Sequence, residues 1–130
     1  MKEISIVWTD DLAVGIQDID DQHRRLFTLL SDFYTSLQKG AGREIQAKML
    51  EDLMTHAGEH FRQEESYLQD HPDLIRHRQH HYGFIKQMNQ FERDYLRGDI
   101  ALAVDLVNYV ADWLQTHISD IDKQQFIDLR

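Results

Sequence analysis

Four segments of this chain carry apolar residues at steps of three and four, which is the period of an amphipathic helix. The first begins at Ile19 and runs through Leu26, Phe27, Leu30, Phe33, Tyr34 and Leu37, ending at Gly40 and Gly42. The second covers about Arg43 to Gln69, with Leu50, Leu53, Ala57, Phe61 and Leu68, and breaks around the single proline, Pro72. The third covers about Asp73 to Leu96, with Phe84, Ile85, Met88, Phe91 and Tyr95, and stops at Gly98. The fourth covers about Ile100 to Ile118, with Leu102, Leu106, Tyr109, Val110, Trp113 and Leu114. Four such helices joined by short turns predict an all-α, up-down-up-down four-helix bundle. Residues 1–17 read as an extended arm laid over it, anchored by Ile4, Ile6, Val7, Trp8, Leu12, Val14 and Ile16. Asp18 is the expected N-cap of the first helix. A short tail helix follows the fourth, with Ile121, Phe126, Ile127 and Leu129 available to pack. No repeat or linker divides the chain, so one domain is expected over 1–130.

Composition narrows the function classes. A net charge of −9 works against nucleic-acid binding, which needs a basic face. The absence of cysteine excludes disulfides, iron–sulfur clusters and thiolate zinc sites. No stretch approaches the ~20 apolar residues of a membrane span, and the N-terminus lacks a signal-length apolar run. A soluble, cytoplasmic protein is the expectation.

The helical stripes carry residues that an apolar core does not need. His60 with Glu64, and His77 with His81, are pairs four residues apart, so each pair shares a helix face. His23 lies on the first stripe, and His117 and Asp122 stand at the end of the last. Taken alone, a His-x-x-x-Glu is usually a surface pair and a lone His a hydrogen-bonded core residue. Together they put five imidazoles and two carboxylates on or just beyond buried faces. Unpartnered, each buried charge would cost several kcal/mol. Metal would satisfy them all, and seven ligands are too many for one ion.

Nitrogen and carboxylate oxygen without sulfur suit Fe, Mn or Zn. Two six-coordinate ions need twelve bonds. Five imidazoles, two bridging carboxylates and one bridging oxide or hydroxide supply eleven, leaving one position open for a small ligand. The excess of neutral imidazole over carboxylate favours reversible binding over substrate oxidation. The remaining features have plainer readings. His56 reads as a helix-face residue, and His71 and His80 as solvent-facing. Asp10, Asp11, Asp18, Asp20 and Asp21 suit a turn and a helix N-terminus better than a cation site.

These residues resemble the hemerythrin family, in its single-domain bacterial form. The likeness runs through Val14-Gly15-Ile16, Ile19-Asp20-Asp21-Gln22-His23 and His60-Phe61-Arg62-Gln63-Glu64-Glu65. It continues in His77-x-x-x-His81, Trp113-x-x-x-His117-Ile118 and Asp122. The resemblance implies two Fe ions in a non-haem di-iron centre with an oxo or hydroxo bridge. One iron would take His77, His81 and His117; the other would take His23 and His60 and keep the open position. Glu64 and Asp122 would bridge them. O2 would be the ligand, and the same position would admit other small diatomic or anionic ligands. Trp113, Leu114 and Ile118 would wall the pocket and keep it dry. The implied role is oxygen storage, delivery or supply to oxygen-using enzymes, not catalysis. The alternatives are a di-iron oxidase, peroxidase or nitric oxide reductase, or O2 sensing with a separate partner. Two departures stand outside the expected ligand set: Leu68, where the family often has Met, and His71 before Pro72, where it often has Tyr.

Overall fold

Asp20, not Asp18, fastens the arm to the bundle. A computed structural model describes residues 8–40, 42–96 and 101–126 of the chain. Its first helix, α1, spans Gln17–Gln38, two residues earlier than the apolar stripe suggests. The N-cap is Ile16, in extended conformation and without a side-chain cap, which overturns the expectation for Asp18. The cause is the turn at Gly15, whose φ of 91° is open to glycine at little cost. This turn aims the Val14 and Gly15 N–H groups at the Asp20 carboxylate, which accepts both at 2.8 and 3.2 Å. Asp18 instead lies in the first turn, where its charge suits the helix dipole and its Oδ2 accepts from the Tyr67 hydroxyl at 3.4 Å.

The arm is not wholly extended. Asp10–Leu12 forms one 3-10 turn, and Leu12 and Val14 are buried beneath it. Lys123 Nζ donates to the Asp11 carbonyl at 2.6 Å, tying the arm to the far end of the chain.

The other helices follow the periodicity closely. They are α2, Arg43–Tyr67; α3, Leu74–Leu96; and α4, Ala101–His117. Gly40 closes α1 in the left-handed region, at φ 69°. Helix α1 packs on α2 and α4, and α3 packs on the same two, which closes a four-helix ring. The core fills its centre with Ile19, Leu26, Leu30 and Phe33 from α1 and Leu50, Leu53 and Phe61 from α2. Phe84 and Met88 of α3 and Leu106, Val110 and Leu114 of α4 complete it. Burying an aliphatic or aromatic side chain of this size contributes roughly 1.5–3 kcal/mol. The arm residues Ile4, Ile6 and Val7, the stop at Gly98 with Ile100, and Ile127 and Leu129 lie outside the described residues. So do the side chains of Tyr95 and Leu102.

The fourth helix ends as α-helix at His117, within a residue of the expected end, but the helical path does not stop there. It widens into a π turn, Ile118–Asp122, and continues as a short helix, α5, Lys123–Phe126. Ile118, Ile121 and Phe126 are buried, so the tail seals one end of the bundle. Among the described residues no helix is long and apolar enough to cross a membrane.

Candidate metal centre

Each helix brings its polar residues to the same level of the core. His23 comes from α1, His60 and Glu64 from α2, His77 and His81 from α3, and His117 from the last turn of α4. Asp122 closes the π turn. All seven are buried, with at most 3% of each exposed. The structure thus brings together every residue that the sequence singles out as a ligand.

The five imidazoles point the same atom inward. His81 Nε2 lies 3.0 Å and His60 Nε2 3.2 Å from Glu64 Oε1. His77 Nε2 is 2.9 Å and His117 Nε2 3.1 Å from Asp122 Oδ1. His23 Nε2 sits between the carboxylates, 3.2 Å from Asp122 and 3.4 Å from Glu64. The donors form two groups, each close enough to surround one ion. Glu64, His77, His81 and His117 make one; His23, His60, Glu64 and Asp122 make the other. Glu64 belongs to both.

Apart from that between His81 Nε2 and Glu64 Oε1, most of these contacts do not satisfy the atoms as hydrogen bonds. Both oxygens of Asp122, Glu64 Oε2, His77 Nε2 and both nitrogens of His23 and His117 have no hydrogen-bond partner. Orphaned buried polar groups cost about 1–3 kcal/mol each, and charged ones more. Cations between the Nε2 atoms and the carboxylates would give most of these atoms a partner. The donor set fits a borderline divalent metal: imidazole nitrogen with hard carboxylate oxygen.

The charges of the cluster shift one another's titration. Burial pushes both carboxylates upward, but the surrounding imidazoles win. Glu64 is held well below its ordinary value, chiefly by His60, and Asp122 is pulled to about 2 against both burial and Glu64, chiefly by His117. Burial opposes charge on His23 and His77 too, yet Asp122 and Glu64 raise them to about 9 and about 10. Burial dominates at His60, which is lowered despite Glu64. Two carboxylates and two imidazoliums then coexist in the core, and metal must displace those protons.

The outward nitrogens reveal residues to which the sequence assigns no role. His60 Nδ1 pairs with Gln22 Oε1 at 2.6 Å, His77 Nδ1 with Gln125 Oε1 at 2.7 Å, and His81 Nδ1 with Glu65 Oε2 at 2.9 Å. Arg78 Nε donates to the other oxygen of Glu65 at 3.0 Å. Such partners fix the tautomer so that Nε2 is the free donor. Gln22 precedes His23 and Glu65 follows Glu64, but each serves a histidine on the next helix. Adjacency to a ligand is the signal; the helix pairing that gives it meaning is tertiary.

Aromatic rings enclose the three-histidine side. Trp113, half-buried, stacks on His117 with centroids 4.3 Å apart and planes 11° apart. Phe61 stacks on His81 at 4.0 Å and 9°. Leu114 and Ile118 are buried beside them in sequence, at 3% and 0% exposure. Trp8 of the arm lies 6.3 Å from the His23 ring. His56 is exposed, as a helix-face residue should be. His80 is exposed as well, with its ring 5.6 Å from that of His117, and His71 is partly buried, its Nδ1 accepting from the Asp73 N–H at 3.1 Å.

Comparison with known proteins agrees with this geometry. The family model described as the hemerythrin HHE cation binding domain matches residues 14–126. A bacteriohemerythrin of Stenotrophomonas maltophilia (strain R551-3) is 30% identical over 128 residues, covering 95% of this chain and 80% of its own. One from Clostridium acetobutylicum is 30% identical over 130 residues, covering 94% and 98%. One from Methylococcus capsulatus (strain Bath) is 26% identical over 121 residues, covering 91% and 92%.

Proposed function

This chain belongs to the hemerythrin family, and from that membership we propose that it binds O2 reversibly at a non-haem di-iron centre. The observation that carries the reading is the inequality of the two donor groups. One has three imidazoles and the other two, with Glu64 common to both. His77, His81 and His117 would hold one iron, and His23 and His60 the other. Glu64 and Asp122 would span both, with an oxo or hydroxo bridge completing the pair. The poorer group, at His23 and His60, is where a small ligand finds room.

Bound iron would supply the electrons that O2 binding draws and take them back on release. The protein's part is to hold and to exclude. Gln22, Gln125 and Glu65 hold three rings with Nε2 inward. Trp113, Leu114 and Ile118 would form the apolar wall that keeps water and protons from the ligand, which is the condition for giving O2 back intact. The role is binding rather than turnover, because neutral imidazole outnumbers carboxylate five to two in the donor set. Storage, delivery or supply of O2 in the cytoplasm suits a chain without cysteine.

Anaerobic reduction followed by exposure to air in a stopped-flow spectrometer tests this. The expected result is a long-lived oxygenated form that releases O2 under vacuum, with two irons per chain. Immediate oxidation with turnover of a reductant would point instead to an oxidase, peroxidase or reductase.

A further inference from the structure

All seven donors are sealed from solvent, so metal needs a way in. Among the described residues, cavities touch the cluster on two sides. A groove of about 390 Å³ between α2 and α3 touches His81. Its surface is largely Phe61, Tyr82 and Ile85, with Arg62, Arg78 and Glu65 alongside, and both Glu65 oxygens are already engaged, by Arg78 and His81. Apolar walls and two guanidiniums make a poor path for a hydrated dication. A second cavity of about 120 Å³ lies between α1 and α2 and reaches His60. It is lined by Gln22, Arg25, His56, Glu59, His60 and Gln63. Five of those six offer oxygen or imidazole nitrogen, the donors that borderline and hard dications accept.

We propose that the α1–α2 cavity is the port through which divalent metal reaches the centre, with His56 and Glu59 as a transient ligand pair at its mouth. The inference rests on the reading of the buried cluster as a metal centre. His56 and Glu59 are three residues apart on α2, share a face and are exposed. Two protein ligands hold a dication weakly, which suits capture and release. Beneath them, Gln22 Nε2 donates to Gln63 Oε1 while Gln22 Oε1 holds His60 Nδ1 at 2.6 Å. This amide pair is the latch. Releasing it frees the His60 ring to turn between the cavity and the core, handing metal to the group that also contains His23. Arg25 works against capture, since its charge repels the incoming ion. The chain's net charge of −9 draws dications toward the surface as a whole.

The test follows uptake of Co(II) by metal-free protein in a stopped-flow spectrometer, at neutral pH and low salt. Glu59→Gln and His56→Ala are expected to slow uptake roughly threefold to tenfold, and Arg25→Glu to speed it by a similar factor. Raising the salt should shrink these differences. Arg62→Glu, in the α2–α3 groove, is the control for the same change in net charge and should speed uptake clearly less than Arg25→Glu. All four variants should reach the wild-type end point, because none alters the buried donors. Wild-type rates in the three port variants overturn the proposal, as does a rate in Arg62→Glu equal to or faster than that in Arg25→Glu. Failure of the wild-type protein to bind Co(II) at all would overturn the metal-centre reading and the port with it.

Discussion

His117 Nε2 lies 3.1 Å from Asp122 Oδ1, although the two residues are five apart in sequence. In a regular α-helix they would point about 140° apart, at ~100° per residue. The π turn from Ile118 to Asp122 absorbs the extra residue and returns the carboxylate to the face of the imidazole. Single π turns of this kind are rare inside helices and concentrate at functional sites. Here the turn allows one continuous helical segment to contribute to both donor groups.

Asp122 is buried with neither oxygen hydrogen-bonded, so its charge is kept for the cluster. Asp122→Asn keeps the shape and removes the charge. Metal content is expected to fall well below two per chain, while far-ultraviolet circular dichroism stays helical. Full metal content by elemental analysis would show that Asp122 is not a ligand. His77→Ala is expected to lose metal in the same way, and His56→Ala to retain it.

Glu65 supports His81 from outside the donor set, at 2.9 Å, and is itself held by Arg78 at 3.0 Å. Removing such a partner typically lowers metal affinity about 10- to 100-fold. Glu65→Ala should fall in that range in chelator competition. Glu65→Gln, which can still accept a hydrogen bond, should lose less. Equal affinities in all three proteins would assign the Glu65–His81 contact to packing alone.

The junction of arm and α1 depends on one carboxylate. Asp20→Ala leaves the Val14 and Gly15 N–H groups without their acceptor and should cost about 1–3 kcal/mol. Asp18→Ala removes a long contact to Tyr67 and a favourable charge in the first turn, and should cost less than about 1 kcal/mol. Urea unfolding of the two variants measures the difference; equal losses would contradict the assignment.

The metal-free protein should respond to pH in a stated direction. His23 and His77 are raised above their ordinary 6.5, so their contribution is complete below that value and lost as pH rises through about 9 and about 10. Asp122 is depressed from 3.8 to about 2, so its contribution is complete above 3.8 and lost as pH falls toward 2. Glu64 acts in the same sense. Urea melts of the metal-free protein should therefore be best between about pH 4.5 and 6.5. Metal loading at neutral pH should release protons, among them those of His23 and His77. No proton release in weakly buffered dye would refute this protonation scheme.

Leu114 is 3% exposed and lies three residues before His117, on the same face of α4. Leu114→Tyr should leave the bundle folded, with an overpacking cost of about 1–3 kcal/mol. It should also change O2 release or autoxidation kinetics. Unaltered kinetics would remove Leu114 from the pocket wall.

The seven candidate ligands, the four helices and most helix ends were legible from spacing, because periodicity is a property of one chain segment at a time. Leu50, Leu53 and Phe61 on the His60–Glu64 stripe announce a buried face without reference to any other helix. Where the chain bends was less legible: the turn at Gly15 moved the N-cap from Asp18 to Ile16 and the helix start from Ile19 to Gln17, and the π turn carried the helical path past Ile118. Hardest to read were the pairings across helices. That Gln22 of α1 holds His60 of α2, and Glu65 of α2 holds His81 of α3, depends on which helices are neighbours and how each is rotated about its axis. Packing of the whole core decides those two quantities. The sequence by itself determined which side chains turn inward; only the tertiary structure decided which nitrogen faces the centre, what holds the other, and how Asp122 joins His117 on one face.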